Sequence, residues 1–227
     1  MRRLSALLGA LALMNAFFIG ALTGLERVFL DPTRYVALQD QLNVYEDAGV
    51  SREEQALIDR DLADYLRGDI DSLDRRVTLR GEEVDCAFNA RELAHMKDVR
   101  RLFGIGFAVR RVLVVLTVLL LIAAALTGRR AGLSTAVSAG LIAFIAAAGA
   151  LAVKLAGFSR VFIAFHHLAF SNDLWLLDPA TDVMIRMLPE EFFAGMAAQG
   201  AVSAALFALL FYALAAAVLG KIRRAKR

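Results

Sequence analysis

The stretch AFHHLAFSNDLWLLDPATD, residues 164–182, lies between two long apolar runs, and the rest of the chain is arranged around it. It contains two of the three histidines, the only tryptophan and one of the three prolines. Polar and aromatic side chains gathered between apolar runs indicate chemistry at a membrane surface.

The composition predicts an integral membrane protein. Of the 227 residues, 59% are hydrophobic, and the mean hydropathy is +0.57. A helix needs roughly 20 apolar residues to cross a hydrocarbon core of about 30 Å. We predict four such spans. Each should be a helix, because backbone exposed to lipid must be hydrogen-bonded internally. The expected fold is an all-α bundle of four transmembrane helices with a small, mostly helical extracytoplasmic cap. The predicted spans are residues 4–25, 103–127 or 112–127, 133–158 and 192–220.

The distribution of charge predicts the orientation. Basic residues precede the first span, occupy the turn at Arg129 and Arg130, and follow the fourth span, with no acid in these three places. By the positive-inside rule, both termini are cytoplasmic, and residues 26–102 and 159–191 lie outside. The net charge of +3 therefore reflects topology and gives no support for nucleic-acid binding.

The predicted segments are a first transmembrane helix (1–25), an extracytoplasmic cap (26–102), the second and third transmembrane helices (103–158), an outer loop with the histidine motif (159–191), and the fourth helix with a basic tail (192–227).

The start of the chain and the segment after it carry local signals. The apolar run at 4–25 is longer than the roughly 7 to 15 residues of a signal-peptide core, which favours a retained anchor. Ser51 and Glu54 form a capping-box pattern, and Gly68 can end the helix that follows. Residues 77–79 are predicted to form a short strand. The apolar face of the helix is expected to contain Ile58, Leu62, Tyr65 and Leu66.

The segment FNARELAHMKDVRRLF, residues 88–103, is a second candidate for chemistry. Asn89 with Glu92 is an N-cap pattern, and the helix it starts is expected to continue into the second span. His95 and Asp98 lie three residues apart on one helix face, where the carboxylate could hold the imidazole in one tautomer. The alternative is an exposed histidine beside an acid with no catalytic role.

Arg110 and Arg111 allow two interpretations. If the second span begins at residue 112, the pair marks the lipid headgroups. If it begins at residue 103, the arginines lie about two turns deep, where such residues usually face a polar cavity.

Within the opening stretch, helical spacing predicts that His166 lies at the outer membrane interface. His167 points about 100° away, so the two are not expected to serve one site. Trp175 is typical of the lipid boundary, and Asp178 before Pro179 is typical of a helix start. A packed, hydrogen-bonded His166 and an anchoring Trp175 are the structural alternatives.

The segments RELAHMKDV (91–99), AFHHLAFSNDLWLLDPATD (164–182) and LPEEFF (188–193) resemble the signature pieces of the lipoprotein intramolecular transacylase family, Lit. The span count and topology fit the same family, so the resemblance covers most of the chain, with little from residues 32–85. The family pattern has an acid where this chain has His167, which leaves His166 as the matching histidine.

The resemblance implies acyl transfer on diacylglyceryl-modified lipoproteins in a bacterial cell membrane. The sn-2 acyl chain would move to the α-amino group of the N-terminal cysteine, giving a lyso-form lipoprotein. An imidazole is suited to deprotonate that amine, so His166 or His95 would be the base, the other would polarise the ester, and Asp98 would orient His95. The remaining contacts to substrate are assigned to Asn172, Trp175, Arg110 and Arg111.

The chain lacks a G-x-S-x-G elbow and a phosphate-binding loop, so neither an acyl-enzyme nor a nucleotide is expected. No cofactor or metal is predicted, and the oligomeric state is not indicated. A metalloenzyme using His95, Asp98 and His166 is disfavoured, because the three residues come from distant segments without an H-E-x-x-H motif. A non-catalytic membrane scaffold or sensor remains possible from the sequence, and so does a lipid or lipoprotein hydrolase.

Overall fold

A computed structural model describes residues 2–127, 138–143 and 155–224, and most of them are helical. A two-stranded antiparallel hairpin, β1 (Val77–Leu79) and β2 (Glu82–Val84), lies between the fourth and fifth helices. Numbered in chain order, the principal helices are α1 (Arg2–Phe29), α2 (Pro32–Leu42), α3 (Tyr45–Ala48), α4 (Arg52–Arg67), α5 (Ala90–Thr127), α6 (Phe158–Ala169), α7 (Val183–Met187) and α8 (Glu190–Arg224). Residues 138–143 are also helical.

Three helices in the described part of the chain are long and apolar enough to cross a membrane: Leu4–Phe29, Ala90–Leu126 and Glu190–Lys221. They contain the first, second and fourth predicted spans, so the prediction of a mainly helical membrane protein is confirmed. Most of the third predicted span, 133–158, lies outside the described residues, as does the turn at Arg129 and Arg130. The count of four therefore stays a prediction.

Local sequence signals explain where several elements begin and end. The Ser51 hydroxyl accepts the backbone N–H of Glu54 at 3.2 Å, which caps α4. The helix ends at Gly68, whose φ of 90° is accessible to glycine without strain. The predicted strand at 77–79 is β1, paired with β2. The four residues predicted for the apolar face of α4 are all buried: Ile58, Leu62, Tyr65 and Leu66.

The chain divides into two compact units, which are described separately. The first unit comprises Met1–Leu25, Gly106–Gly157 and Ala201–Arg227, and the second comprises Glu26–Ile105 and Phe158–Gly200. In the second unit, α2 packs against α4, and α3 packs against α7. Its core includes Tyr35, Leu38, Leu62, Met187, Phe192 and Met196.

Close helix contact in the first unit depends on two glycines of α1. A Cβ built on Gly20 would lie 2.3 Å from the carbonyl oxygen of Phe207, and one on Gly24 would lie 2.5 Å from that of Ser203. The absence of side chains at these positions lets α1 and α8 approach each other, as small residues do in membrane helices.

Candidate active site

Two histidines from distant segments lie side by side in the second unit. His95 on α5 and His166 on α6 have ring centroids 6.3 Å apart, with the ring planes inclined by 33°. Both residues are buried, each with 8% of its surface exposed. Because α5 and α6 are separated by the long apolar part of the chain, only folding brings the two imidazoles together.

Aromatic rings surround the histidine pair. The His166 ring lies 4.3 Å from Phe162, 5.6 Å from Phe170 and 4.8 Å from Trp175, measured between centroids. Phe170 also contacts His95 at 5.2 Å, so one ring touches both imidazoles. Such surroundings exclude water and strengthen electrostatic interactions inside the site.

The tautomer of His166 follows from the hydrogen bond that its side chain makes within the described part of the chain. Its Nδ1 lies 2.7 Å from the backbone carbonyl oxygen of Phe162. A carbonyl oxygen only accepts, so Nδ1 carries the proton and Nε2 presents a lone pair. Burial lowers the pKa of His166 despite that hydrogen bond, and the neighbouring His167 acts in the same direction. His166 therefore stays neutral and basic at neutral pH.

Two nitrogen atoms in the same site are buried without a hydrogen-bond partner among the described residues. They are Nδ1 of His95 and Nε1 of Trp175. Buried polar groups in native proteins are nearly always paired, and exceptions often lie at functional sites. The hydrogen-bonding capacity of the two atoms is therefore not used by the described residues.

Asp98 does not make the contact predicted for it. No hydrogen bond or ion pair within the described part of the chain joins its carboxylate to His95. Instead, Asp98 Oδ2 accepts a hydrogen bond from Asn172 Nδ2 at 2.8 Å. The expectation that Asp98 holds His95 in one tautomer stays a prediction, since Asp98 acts on His95 through its charge but has no hydrogen bond to it among the described residues. A shared helix face does not ensure contact, because the loop after α6 supplies a better-placed donor.

An open groove of about 380 Å³ lies beside the site. His167 lines this groove and is exposed, whereas its neighbour His166 is buried, as their angular separation on α6 predicted. Both rings nonetheless touch Trp175, since His167 meets it edge-on at 5.1 Å. The groove combines charged and apolar walls, formed by Asp98, Arg101, Leu102, Ile105, His167, Leu168, Ala169, Phe170, Ser171 and Asn172.

Arg91 was not singled out from the sequence, yet it holds the loop that follows α6. Its Nη2 donates to the backbone carbonyl of Asp173 at 2.7 Å and to that of Leu176 at 3.0 Å. These carbonyls lie on either side of Trp175 in the chain. An exposed arginine on a predicted helix gives no sequence signal of such a partner, because the loop is more than 80 residues away.

The beginning of α5 is fixed by a second set of long-range contacts. Glu92 is fully buried, and its carboxylate accepts the N–H groups of Asn89 at 2.7 Å and Met184 at 2.6 Å. The Asn89 side chain donates to Asp182 Oδ1 at 2.7 Å. The predicted cap at Asn89 and Glu92 is confirmed, and it also ties the His95 helix to α7.

The predicted helix start at Asp178 and Pro179 is wrong. Residues 179–181 form a turn, in which Asp178 Oδ1 accepts the N–H of Ala180 at 2.9 Å. The helix begins later, at Val183, because Asp182 uses its carboxylate to accept the Asp178 N–H at 2.7 Å. Asp-Pro is equally typical of turns, and the long-range bonds of Asp182 select the turn.

Arg110 and Arg111 belong to the first unit, and Arg110 lies over the Phe107 ring at 6.0 Å. Helix α5 continues through both residues without a break. Their predicted contacts with substrate stay a prediction.

Among the described residues there is neither a metal site nor a reactive thiol. No group of three or more His, Cys, Asp or Glu side chains in residues 2–127, 138–143 and 155–224 could hold a metal ion. Cys86 is a free, half-buried thiol, and burial raises its pKa. A thiol in that state is a poor nucleophile.

Comparison with known proteins identifies the family. The family described as lipoprotein intramolecular transacylase Lit matches residues 10–193. The in meso structure of the membrane integral Lit from Bacillus cereus has a TM-score of 0.68 at 24% identity, covering 98% of this chain and 97% of that one. Histidine-to-arginine and histidine-to-alanine variants of that protein have TM-scores of 0.62 at 22% identity, covering 98% of this chain and 94% and 95% of theirs. No curated protein sequence matches the chain.

The solved structures support the fold, and the sequence match covers most of the chain. The resemblance drawn from the three motifs is confirmed. The chain belongs to the lipoprotein intramolecular transacylase (Lit) family and is a membrane acyltransferase.

Proposed function

We propose that this transacylase moves the sn-2 acyl chain of a diacylglyceryl lipoprotein to the α-amino group of the same molecule's N-terminal cysteine. The product is a lyso-form lipoprotein with an N-acyl group. The observation that carries the proposal is the buried pair of imidazoles, His95 and His166, at 6.3 Å in a chain of the Lit family.

His166 is the general base in this proposal. Its Nδ1 is committed to the Phe162 carbonyl, so Nε2 is the nitrogen that takes a proton. The α-amino group of a peptide has a pKa of about 7.7 to 8, so it must lose a proton before it attacks an ester. A neutral imidazole held in one orientation can accept that proton and later deliver it to the departing glyceryl oxygen.

His95 polarises the ester in the same scheme. Its ring lies within the aromatic enclosure, and its Nδ1 has no hydrogen-bond partner in the described residues. With a proton on that nitrogen, the imidazole would donate to the carbonyl oxygen as negative charge develops there.

In this proposal, Asp98 and Asn172 bind the protonated α-amino group of the lipoprotein's N-terminal cysteine. Both residues line the groove beside the histidines, and Asp98 is half-buried. A carboxylate in that position attracts the protonated amine before His166 removes the proton. Asp98 is thus assigned to the substrate and not to the orientation of His95.

The transfer is direct in this proposal. The acyl donor and the amine acceptor belong to one molecule, so the enzyme needs to supply only proximity and proton transfer. The phenylalanine and tryptophan rings around His166 keep water from competing with the amine. Aminolysis therefore exceeds hydrolysis at this site.

The site faces the outer leaflet in this proposal, with both termini cytoplasmic. The positions of the basic residues support the orientation. Arg110 and Arg111 are assigned to the ester oxygens of the substrate, to which their guanidinium groups would donate.

Mass spectrometry of a lipoprotein's N-terminal lipopeptide tests the proposal. The lipoprotein is expressed with this protein in cells without other N-acylation. We expect an N-acyl, lyso-glyceryl peptide of unchanged total mass. His166→Ala should lower its rate of formation by roughly 10² to 10⁴, the range for loss of a general base.

Lys97→Ala is the matched control, because Lys97 is exposed on the same helix as His95 and has no role in the scheme. A fully active His166→Ala protein would refute the assigned base. Release of free fatty acid in place of N-acyl product would identify a hydrolase, and an unmodified diacylglyceryl peptide with correctly inserted native protein would favour a scaffold or sensor.

A further inference from the structure

The indole of Trp175 lies directly against the proposed base. Its ring centroid is 4.8 Å from that of His166, and the two planes are inclined by 32°. This tilted contact places the indole ring beside the imidazole of the proposed base. Trp175 is also the only tryptophan in the chain.

The indole Nε1 is buried and has no acceptor among the described residues. An indole N–H is only a donor, and a buried tryptophan usually finds a partner for it. Leaving a buried donor unpaired is energetically unfavourable. The cost is offset when a bound molecule brings an acceptor to this position.

The backbone around Trp175 is held in place independently of the histidines. Arg91 donates to the carbonyls of Asp173 and Leu176, which flank the tryptophan. Asn172 Oδ1 also accepts the N–H of Leu174 at 3.1 Å. Because these bonds fix the loop before substrate binds, the indole N–H is already oriented.

We infer that Trp175 is a catalytic hydrogen-bond donor, whose Nε1–H binds the carbonyl oxygen of the ester that reacts, and that Arg91 is its positioning residue. The inference rests on the proposed function and adds an oxyanion-stabilising group to it. A single anchoring role at the lipid boundary would not require a buried N–H beside the base.

The reaction begins when the neutral amine attacks the ester carbonyl carbon. The C–N bond forms, and the carbonyl π electron pair moves to oxygen, where the Trp175 N–H stabilises it. His166 Nε2 already carries the proton that it took from the ammonium, and it gives this proton to the glyceryl oxygen as the C–O bond to glycerol breaks and the carbonyl re-forms. The neutral imidazole then takes the second proton from the acylated nitrogen and releases it to solvent. No external co-reactant is needed.

Replacing all tryptophan by 3-benzothienyl-alanine tests the donor. This analogue has sulfur in place of the N–H and nearly the same shape, and in this chain it changes one position only. We expect kcat to fall by roughly 10² with little change in KM, as for loss of one oxyanion donor. A kcat within twofold of native would overturn the inference.

A parallel His166→Ala measurement separates the inference about Trp175 from the proposed function. If His166→Ala is inactive while the benzothienyl protein is fully active, the inference about Trp175 fails and the proposed function stands. If His166→Ala is fully active, the proposed base fails whatever Trp175 does.

The positioning role of Arg91 is tested by a double-mutant cycle. Arg91→Met should lower kcat of the native protein and change the fluorescence emission of Trp175, since the loop is released. In the benzothienyl protein the same substitution should lower kcat much less. Equal losses in both backgrounds would show that Arg91 does not act through the indole N–H.

Discussion

Asp59 and Asp182 are both buried carboxylates of the second unit, with 0% and 4% of their surfaces exposed, yet their pKa values move in opposite directions. Burial raises the pKa of Asp59 to about 7, and the hydrogen bond from Gln39, its one donor among the described residues, does not offset it. Burial acts the same way on Asp182, but hydrogen bonds from Asp178, Asn89 and Thr181 outweigh it and lower the pKa. For these two carboxylates, the several donors to Asp182 outweigh the effect of burial, whereas the donor to Asp59 does not.

The polar side chains around the two carboxylates also differ in how completely they are hydrogen-bonded. The Asp59 cluster consists of Gln39, Gln55 and Asp59, all fully buried on α2 and α4. Four of its polar atoms lack partners in the described residues: Gln39 Oε1, Gln55 Oε1, Gln55 Nε2 and Asp59 Oδ2. The Asp182 cluster consists of Asn89, Glu92 and Asp182, whose oxygens accept several short hydrogen bonds. The second cluster joins α5 to α7 through paired polar groups, whereas the first leaves polar atoms unpaired among the described residues.

The largest effect is expected from Asp182→Ala. The substitution removes the acceptor from the N–H of Asp178 and the side chain of Asn89, so we expect a loss of roughly 3 to 4 kcal/mol in unfolding free energy. Thermal unfolding of the detergent-solubilised protein measures it. In the native protein this contribution is complete above pH 3.8, the ordinary pKa of an aspartate, and is lost as the pH falls through the lower folded pKa.

Asp173→Ala is the control for that substitution. Its side chain is exposed, and the carbonyl that Arg91 uses is retained. If the two variants unfolded at the same temperature, the contrast between the clusters would be refuted.

A smaller effect of opposite sign is expected from Asp59→Asn. The folded pKa of about 7 lies above the ordinary value of 3.8, so the native protein loses stability as the pH rises between them. The amide carries no charge, so the variant should be more stable than the native protein by roughly 2 kcal/mol at pH 8 and about equal at pH 5. Unfolding temperatures at both pH values test this, and a gain independent of pH would contradict it.

Replacing Gln55 by Met should give about 1 kcal/mol more stability, because both unpartnered side-chain atoms of Gln55 disappear at similar volume. Gln39→Met should instead destabilise the protein, since Asp59 loses its one hydrogen-bond donor. Denaturant titration of both variants distinguishes the two residues. Changes of the same sign would mean that the cluster is hydrated and already satisfied.

The smallest effect is a change in fluorescence, and it extends the comparison to His166, which is buried like Asp59 and also has one hydrogen bond among the described residues, but is a base. Burial lowers its pKa, so the midpoint of its protonation should lie below pH 6.5. An imidazolium stacked on the indole should quench Trp175 fluorescence, with a midpoint below that pH. His166→Gln should abolish the transition and His167→Gln should retain it. A midpoint above 6.5 would contradict the pKa argument.

Local rules predicted much of the fold. The caps at Ser51 and Asn89, the end of α4 at Gly68 and the strand at 77–79 follow from contacts within a few residues. The apolar runs likewise predicted the long helices. These features depend on backbone chemistry that neighbouring residues satisfy, so the sequence carries them directly.

The site was predictable only in part, because its partners are remote in the chain. Helical periodicity indicated that His166 and His167 face different ways, and burial agrees. The partner of Asp98 was missed, since Asn172 is 74 residues away. Arg91 gave no signal for the same reason, and Pro179 was misread because Asp182 competes for the turn.

The bond between Glu92 and the Met184 amide has a consequence for biogenesis. Glu92, the acceptor, is synthesised 92 residues before Met184, the donor. Arg91 is likewise synthesised 82 residues before Asp173, whose carbonyl it binds. Since chains emerge from the ribosome N-terminus first, the His95 helix is in place well before its partners exist. If the proposed site is correct, the chain completes it only late in its own synthesis, and we expect a truncated or stalled chain in the membrane to be inactive towards lipoproteins.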